Sequence, residues 1–140
     1  CERADIICPN VTEARILLGE DYTVSALPSL LTEKLSALYK KVIVTGAENY
    51  PDTVTTLCSK AGSVPAEFNS KLIKGPFYGS GDAFASAFIG LYLNGYSFEK
   101  AVEKAVDFVN ECIEKTLDER DKYWYGLKFE QCLSSLIKLI

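Results

Sequence analysis

Apolar positions recur with two different spacings along the chain, and these spacings predict both strands and helices. Four segments predict strands, at residues 4–8 (ADIIC), 41–45 (KVIVT), 53–59 (TVTTLCS) and 70–73. The first two are short apolar runs stopped by Pro9 and Gly46, which is typical of buried strands. The third alternates between apolar and polar residues and predicts a more exposed strand, and the fourth carries the weakest strand pattern.

Apolar residues at helical spacing predict five helices, at residues 11–18, 25–39, about 80–94, 98–117 and 128–139. Asn10 and Ser97 are the predicted N-caps of the first and fourth helices, and Gly19 stops the first. Pro28 is acceptable in the first turn of the second helix. The order of these elements predicts an α/β fold with a mostly parallel sheet flanked by helices.

Length and charge limit the classes of function. The chain has 140 residues, enough for one domain with a real core. Its net charge is −4 and it has no run of Lys or Arg, so we expect no nucleic-acid partner. No apolar stretch reaches transmembrane length and no signal segment opens the chain, so we expect a cytoplasmic protein without a membrane partner.

Cysteine and histidine usage removes several kinds of chemistry. The five cysteines are scattered without a CxxC pair, and the chain contains no histidine. The usual Cys/His zinc sites and the Ser-His-Asp and Cys-His catalytic groups are therefore excluded within this chain. We expect reduced, mostly buried thiols. Because the chain begins with Cys1 and has no methionine, we also expect that it was processed or is a piece of something longer.

The segment with the most chemical content is Gly-Ser-Gly-Asp at residues 79–82, which leads into the third predicted helix at Ser80 or Asp82. A glycine-rich turn at a helix start leaves backbone N–H groups unpaired beside the positive end of the helix dipole, which suits a phosphoryl group. Asp82 would repel such an anion unless it accepts a proton from an attacking hydroxyl group. The pattern therefore favours phosphoryl transfer to an alcohol. The structural alternative is that Asp82 is an ordinary N-cap.

Two strand ends carry further candidates. Asn10 and Glu13 (in PNVTE) follow the first strand at three-residue spacing, where a carboxylate can hold a magnesium-bound water. The same spacing is close to a capping box, which needs no metal. Thr45 and Gly46 end the second strand, where a hydroxyl group and a glycine can approach a nucleotide phosphate, although a plain turn explains them equally well.

An aromatic cluster, Tyr123-Trp124-Tyr125, lies in a polar stretch at residues 118–126 that predicts an ordered loop. In an acidic protein such a cluster is more often packing than a platform for stacking bases.

Three of these pieces, in this order, resemble the C-terminal half of a ribokinase-like (PfkB) kinase, and most closely the pyridoxal/pyridoxamine (vitamin B6) kinase branch. The resemblance covers nearly the whole chain. It is carried by residues 4–19 (ADIICPNVTEARILLG), 41–46 (KVIVTG), 77–106 (FYGSGDAFASAFIGLYLNGYSFEKAVEKAV) and 112–136. Sugar kinases of the superfamily usually have an Asp-Thr pair where this chain has Gly75-Pro76-Phe77-Tyr78, and hydroxymethylpyrimidine kinases usually have cysteine at the position of Asp82.

The resemblance implies a kinase that phosphorylates the 5′-hydroxymethyl group of a B6 vitamer, with ATP as co-substrate. Asp82 would be the base that accepts the proton of the substrate hydroxyl group. The backbone of Gly79, Ser80 and Gly81 would form the anion hole for the transferred phosphoryl group.

For the cofactor and the nucleotide, the resemblance implies that Glu13, with Asn10, helps place Mg²⁺ through water. Thr45 and Gly46 would lie along the ATP phosphates. Family members are often dimers, so a homodimer is among the expected assemblies.

Length is where the chain departs from the family, whose members are about twice as long and take most of the substrate pocket and the lid from their N-terminal half. We therefore expect residues 1–140 to be a single partial domain, from a fragment or a truncated gene product, with an unpaired sheet edge. Two other readings stay open. One is another ribokinase-like kinase for a sugar, nucleoside or hydroxymethylpyrimidine, and the other is a non-catalytic nucleotide-binding or partner-binding chain.

Overall fold

The computed structural model describes residues 1, 3–21, 27–49, 51–117, 119 and 125–139. The chain divides into two compact units, Cys1–Leu72 and Ile73–Ile140. The first unit contains the sheet, with two helices packed on its strands, and the second contains the longer helices. The predicted α/β class, with a sheet flanked by helices, is confirmed.

In the part of the chain that the structure describes, the sheet has three strands in the order β1-β2-β3, at Lys41–Asn49, Thr53–Lys60 and Ala66–Lys71. Both pairings are antiparallel, so the predicted mostly parallel arrangement is wrong for these strands. The reason is the length of the connections. Residues 50–52 and 61–65 suffice for hairpins, whereas parallel strands need a crossover of about a dozen residues or more.

Residues 4–8, predicted as a buried strand, pair with β1 in parallel but make only isolated bridges, Ile7 to Val42 and Asn10 to Thr45. Ile7 donates its N–H to the carbonyl of Lys41 at 3.1 Å. Pro9 explains the break between the bridges, because it has no N–H with which to continue the ladder. The predicted parallel pairing is confirmed for this segment, which lies on the side of β1 opposite to β2.

Three predicted strand features need correction. β1 continues to Asn49 because Gly46 forms a bulge and does not end the strand: the register shifts between Val44 and Ala47, and Gly46 has φ +73°. β2 is more buried than its alternating pattern predicts, because it is the central strand. β3 begins at Ala66, four residues before the predicted start.

The helices and helical turns are α1 Val11–Leu17, α2 Pro28–Ser36, α3 Ser80–Leu93, α4 Phe98–Leu117, a 3₁₀ turn at Phe129–Gln131, and α5 Leu133–Ile137. The predictions for α1, α3 and α4 are confirmed, including the caps Asn10 and Ser97. α2 is shorter than predicted, and residues 22–26 lie outside the described part of the chain.

The predicted helix at residues 128–139 is broken into the 3₁₀ turn and α5. The N–H of Lys128 donates to the hydroxyl oxygen of Thr116 at 2.9 Å, so it is held by α4 at the start of this segment. The ammonium group of Lys128, which is 4% exposed, also pairs with Glu119 at 2.7 Å. These contacts fix the segment against α4 before regular helix begins.

Each unit has its own apolar core. In the first unit Ile7, Ala14, Leu35, Val42 and Val44 form one buried cluster. In the second unit α3 packs against α4 through aromatic rings, with Phe88 stacked on Tyr92 at 5.7 Å and edge-on to Phe98 at 5.8 Å between ring centroids. These contacts hold α3 in place and therefore fix the position of its N-terminal turn.

All five cysteines lie in the described residues, and none is disulfide-bonded. Cys58, Cys112 and Cys132 are buried, as expected for structural thiols, whereas Cys1 and Cys8 are exposed. Burial raises the pKa of the Cys112 and Cys132 thiols, which keeps them protonated and unreactive. Among the described helices, none combines the length and the apolar character that crossing a bilayer requires.

Candidate active site

The N-terminal turn of α3 is entered through Gly79, which has left-handed backbone angles of φ 80° and ψ 1° and is the N-cap. Ser80 is the first helical residue, so Asp82 is the third residue of the helix and is not its cap. Because glycine has no side chain, no side chain caps this helix start. The structural alternative for Asp82, an ordinary N-cap, is therefore wrong.

Two N–H groups of this turn have no acceptor among the described residues. Ser80 donates to the carbonyl of Phe77 at 3.3 Å, and Ala83 donates to that of Gly79 at 2.9 Å. The N–H groups of Gly81 and Asp82, between them, are not used in this way. Unpaired N–H groups at the positive end of a 14-residue helix form a site for an anion.

Asp82 is exposed at this turn, and none of the described basic side chains forms an ion pair with it. A carboxylate that is not held by a cation keeps its oxygens for a substrate. The turn thus offers a proton acceptor beside hydrogen-bond donors for a phosphoryl group, which are two groups that phosphoryl transfer to an alcohol requires.

A cavity of about 500 Å³ lies in the second unit beside Asp82. Its walls are mostly aromatic and aliphatic, and include Tyr78, Phe108, Tyr125 and Leu133. Two carboxylates, Asp82 and Glu130, reach it, and its described lining contains no Lys or Arg. Such a cavity suits an uncharged or cationic organic ring and does not suit a triphosphate.

In the first unit, Asn10 and Glu13 form a complete capping box. The N–H of Glu13 donates to Oδ1 of Asn10 at 2.9 Å, and the N–H of Asn10 donates to Oε2 of Glu13 at 2.9 Å. The capping alternative for this pair is therefore realised. Capping does not prevent Glu13 from contacting a magnesium-bound water, because the capping hydrogen bond uses only one of its two carboxylate oxygens.

Asn10 and Glu13 are suited to contact a magnesium ion only through its bound waters. Among the described residues no group of three or more Asp, Glu, Cys or His side chains is placed to hold a metal ion. One carboxylate with a neighbouring amide, both exposed, matches the sparse protein ligation that Mg²⁺ accepts when substrate phosphates and waters complete its shell.

Thr45 and Gly46 lie next to this pair. Thr45 forms the parallel bridge with Asn10, and its N–H donates to the carbonyl of Pro9 at 3.0 Å. Gly46, in the bulge, is exposed, and a Cβ there would meet nothing within 4 Å. The structure thus brings together Asn10, Glu13, Thr45 and Gly46 in the first unit.

The residues of the turn, Gly79 to Asp82, come together in the second unit. The sequence prediction missed the cavity beside them, since its walls come from separate segments around Tyr78, Phe108 and Glu130. Tyr125 was considered only as part of an aromatic cluster. It is 64% exposed and lines the cavity, while Tyr123 and Trp124 lie outside the described residues.

The sequence profile of the phosphomethylpyrimidine kinase family matches residues 1–124. The chain belongs to this family, within the ribokinase-like superfamily. No curated protein sequence matches the chain.

Solved structures with the same fold are pyridoxal kinases and related proteins. Pyridoxal kinase from Lactobacillus plantarum aligns with a TM-score of 0.86 and 23% identity, covering 99% of this chain and 51% of that chain. A putative phosphomethylpyrimidine kinase from Bacteroides thetaiotaomicron, crystallised with pyridoxal, aligns with a TM-score of 0.82 and 26% identity, covering 96% of this chain and 50% of that chain. An ADP complex of Bacillus subtilis pyridoxal kinase aligns with a TM-score of 0.69 and 24% identity, covering 79% of this chain and 44% of that chain. The fold is therefore that of ribokinase-like pyridoxal kinases, and the chain spans about half the length of these relatives.

The capping box generates a first prediction. Asn10→Ala removes the acceptor for the N–H of Glu13 and should lower the free energy of unfolding by about 1 kcal/mol. Asn10→Asp keeps an acceptor oxygen at the helix N-terminus and should match the wild type within about 0.5 kcal/mol. Urea denaturation measures both values. Equal destabilisation by the two substitutions would show that the hydrogen bond at Asn10 does not stabilise α1.

Proposed function

We propose that this chain is the C-terminal, ATP-binding and catalytic half of a kinase that phosphorylates the 5′-hydroxymethyl group of pyridoxal, pyridoxine or pyridoxamine. One observation carries the proposal: the first turn of α3 combines two unused backbone N–H groups with the unpaired carboxylate of Asp82. Family membership and the shared fold support the same class of chemistry.

In the proposed reaction, the substrate hydroxyl oxygen attacks the γ-phosphorus of ATP as Asp82 accepts the hydroxyl proton. The bond between the γ-phosphorus and the bridging oxygen breaks, and ADP leaves. The N–H groups of Gly81 and Asp82, with the dipole of α3, stabilise the charge on the transferred phosphoryl oxygens. Phosphoryl transfer relies mostly on such positioning and charge stabilisation, since the protein forms no bond to the phosphoryl group.

Glu13 and Asn10 would hold Mg²⁺ through water, and the ion would neutralise charge on the ATP phosphates. Thr45 offers a hydroxyl group next to this pair. The exposed bulge at Gly46, where no Cβ stands, leaves room for a phosphate to approach the backbone. Structures of the same fold include complexes with ADP and with AMP-PCP, which supports ATP as the phosphoryl donor.

The preference for a B6 vitamer rests on two kinds of observation. Several proteins with this fold are described as pyridoxal kinases, and one relative was crystallised with pyridoxal. The sequence resembles the B6 branch at Gly75-Pro76-Phe77-Tyr78 and at Asp82. The second candidate is phosphorylation of a hydroxymethylpyrimidine or its phosphate, which the description of the matching family favours.

We propose the cytoplasm as the location, since five cysteines without a disulfide fit a reducing compartment. The small molecules ATP and a B6 vitamer are the proposed binding partners, and a homodimer is the proposed assembly by analogy with the family.

Asp82→Asn tests the proposed base. In the polypeptide as its gene encodes it, we expect ATP binding to persist while turnover falls by roughly 10² or more, because the amide cannot accept the proton. ADP release with MgATP and pyridoxal, pyridoxine, pyridoxamine, hydroxymethylpyrimidine or ribose measures turnover and ranks the substrates. Asp52→Asn, at an exposed turn, is the matched control and should leave turnover unchanged.

Turnover by Asp82→Asn within a few fold of the wild type would remove Asp82 from this role. Turnover confined to hydroxymethylpyrimidine would favour the second candidate. A folded protein without turnover on any of these substrates would contradict the kinase proposal.

Gly81→Ala tests the anion hole separately from the base. A Cβ at Gly81 or at Gly90, both within α3, meets no atom within 4 Å beyond the adjoining residues and the nearby backbone of the helix itself. Neither alanine should therefore lower the free energy of unfolding, and each should raise it by up to about 1 kcal/mol. We expect turnover to fall by roughly 10² only in Gly81→Ala, because its methyl group displaces the phosphoryl group from the N–H donors. Equal turnover in the two variants would contradict the anion hole.

A further inference from the structure

The cavity in the second unit has a carboxylate that the proposed reaction does not use. It belongs to Glu130, in the 3₁₀ turn Phe129–Gln131. The backbone on both sides of this turn is anchored. The N–H of Lys128 donates to the hydroxyl oxygen of Thr116 on α4 at 2.9 Å, and the side chain of Cys132 is fully buried. Glu130 is therefore presented to the cavity from a fixed segment.

The segment that carries Glu130 passes close to the turn that carries Asp82. A Cβ at Gly126 would lie 3.9 Å from the carbonyl oxygen of Tyr78, just before that turn. Tyr78, Asp82 and Glu130 line the same cavity. The two carboxylates therefore open onto one space, although they come from distant positions in the sequence.

The negative charge of these carboxylates is not neutralised by a neighbouring cation. Among the described residues, no basic side chain forms an ion pair with Asp82 or Glu130. The nearest cation in sequence, Lys128, is 4% exposed and pairs with Glu119 at 2.7 Å. Burial raises the pKa of the Cys112 thiol, and the negative charge of Glu130 adds to the shift, so this charge acts within the unit.

A cationic ligand with one ring is the chemical complement of such a cavity. An ammonium group is attracted by a carboxylate and by the faces of aromatic rings, which Tyr78, Phe108 and Tyr125 supply here. The volume of about 500 Å³ is in the range of sites for small organic molecules. A ligand that carries a phosphate would instead meet two negative charges at once.

We propose that Glu130 is a specificity-determining residue, which selects an acceptor alcohol that carries an ammonium group. Among the B6 vitamers this acceptor is pyridoxamine. The inference rests on the proposed function, because Asp82 receives the hydroxymethyl group. In pyridoxamine the aminomethyl and hydroxymethyl groups stand on neighbouring ring carbons, so a hydroxyl group at Asp82 places the ammonium group in the same cavity. Glu130 accepts a hydrogen bond from this ammonium group, and the ring lies against the aromatic walls.

The structural alternative for Glu130 is a role in stability. It lies shortly before α5, whose N-terminus has no side-chain cap, and a carboxylate near a helix N-terminus is favourable. A purely structural role predicts that replacing Glu130 affects every ligand of the cavity alike. A specificity role predicts an effect on the cationic ligand above all.

The test compares the binding of pyridoxamine and pyridoxine in the absence of ATP. These ligands differ in one group, an ammonium in the first and a hydroxyl in the second, so the ratio of their dissociation constants isolates its contribution. With the polypeptide as its gene encodes it, calorimetry should show pyridoxamine binding about tenfold more tightly, as expected for one charge-assisted hydrogen bond. Glu130→Gln should bring the ratio close to one. With MgATP, its effect should appear in the KM for pyridoxamine and not in kcat.

Two further variants control for charge and for position. Glu130→Asp keeps the carboxylate and should retain a preference of several fold. Glu114→Gln removes an exposed carboxylate of α4 outside the described cavity lining, and should leave the ratio unchanged.

The proposal is overturned if the wild type binds the two vitamers equally, if Glu130→Gln weakens both alike, or if Glu114→Gln also abolishes the preference. The outcome is separable from that of the proposed reaction. A preference set by Glu130 in a protein without turnover would support this site and contradict the reaction. Turnover without such a preference would do the reverse.

Discussion

The left-handed conformation of Gly79 is the constraint on which the candidate active site depends. A Cβ at Gly79 would meet no atom within 4 Å beyond its two chain neighbours, so the restriction comes from the backbone angle, which an L-residue adopts at a penalty of about 1–2 kcal/mol. Glycine accepts this angle but provides no capping side chain. The helix start is therefore less stable than one capped by Ser, Thr, Asn or Asp by a few tenths of a kcal/mol, and its N–H groups stay available for a ligand.

The N-termini of α1 and α3 differ in how their first backbone N–H groups are paired. α1 satisfies its own terminus through the reciprocal hydrogen bonds of Asn10 and Glu13, and is stable without any ligand. α3 leaves its terminus unsatisfied and is held instead by the packing of Phe88 and Tyr92 against Phe98 of α4. Because contacts in its second half hold α3 in place, its N-terminus can stay rigid with unpaired N–H groups. Phosphoryl transfer needs such preorganised donors.

Local signals predicted the parts of the fold that local chemistry determines. The bounds of α1, α3 and α4 followed from caps and helical spacing, and the turn at Gly79 followed from its glycines. The antiparallel direction of β1, β2 and β3 was missed although it follows from the short connections between them, because parallel strands would need a crossover of about a dozen residues or more. Gly46 was predicted to end a strand, since a glycine after an apolar run gives the same local signal for a stop and for a bulge.

Site residues were predictable where one segment supplies them, as in the turn from Gly79 to Asp82. The cavity beside Asp82 was not, because three separate stretches build it and no single pattern marks it. The capping box at Asn10 shows a further limit. Its sequence pattern fits both a capping role and a metal-binding role. The structure shows the capping hydrogen bonds, and one carboxylate oxygen of Glu13 remains for a metal-bound water.

The most direct test of the account is an NMR titration of the ¹⁵N-labelled chain with MgATP. If the first turn of α3 is an anion hole, the amide signals of Gly81 and Asp82 should shift most within the second unit and should saturate together. The amide of Gly90, inside the same helix, should stay in place. Binding of MgATP that leaves Gly81 and Asp82 unshifted would contradict the central claim, because the phosphates would then lie elsewhere.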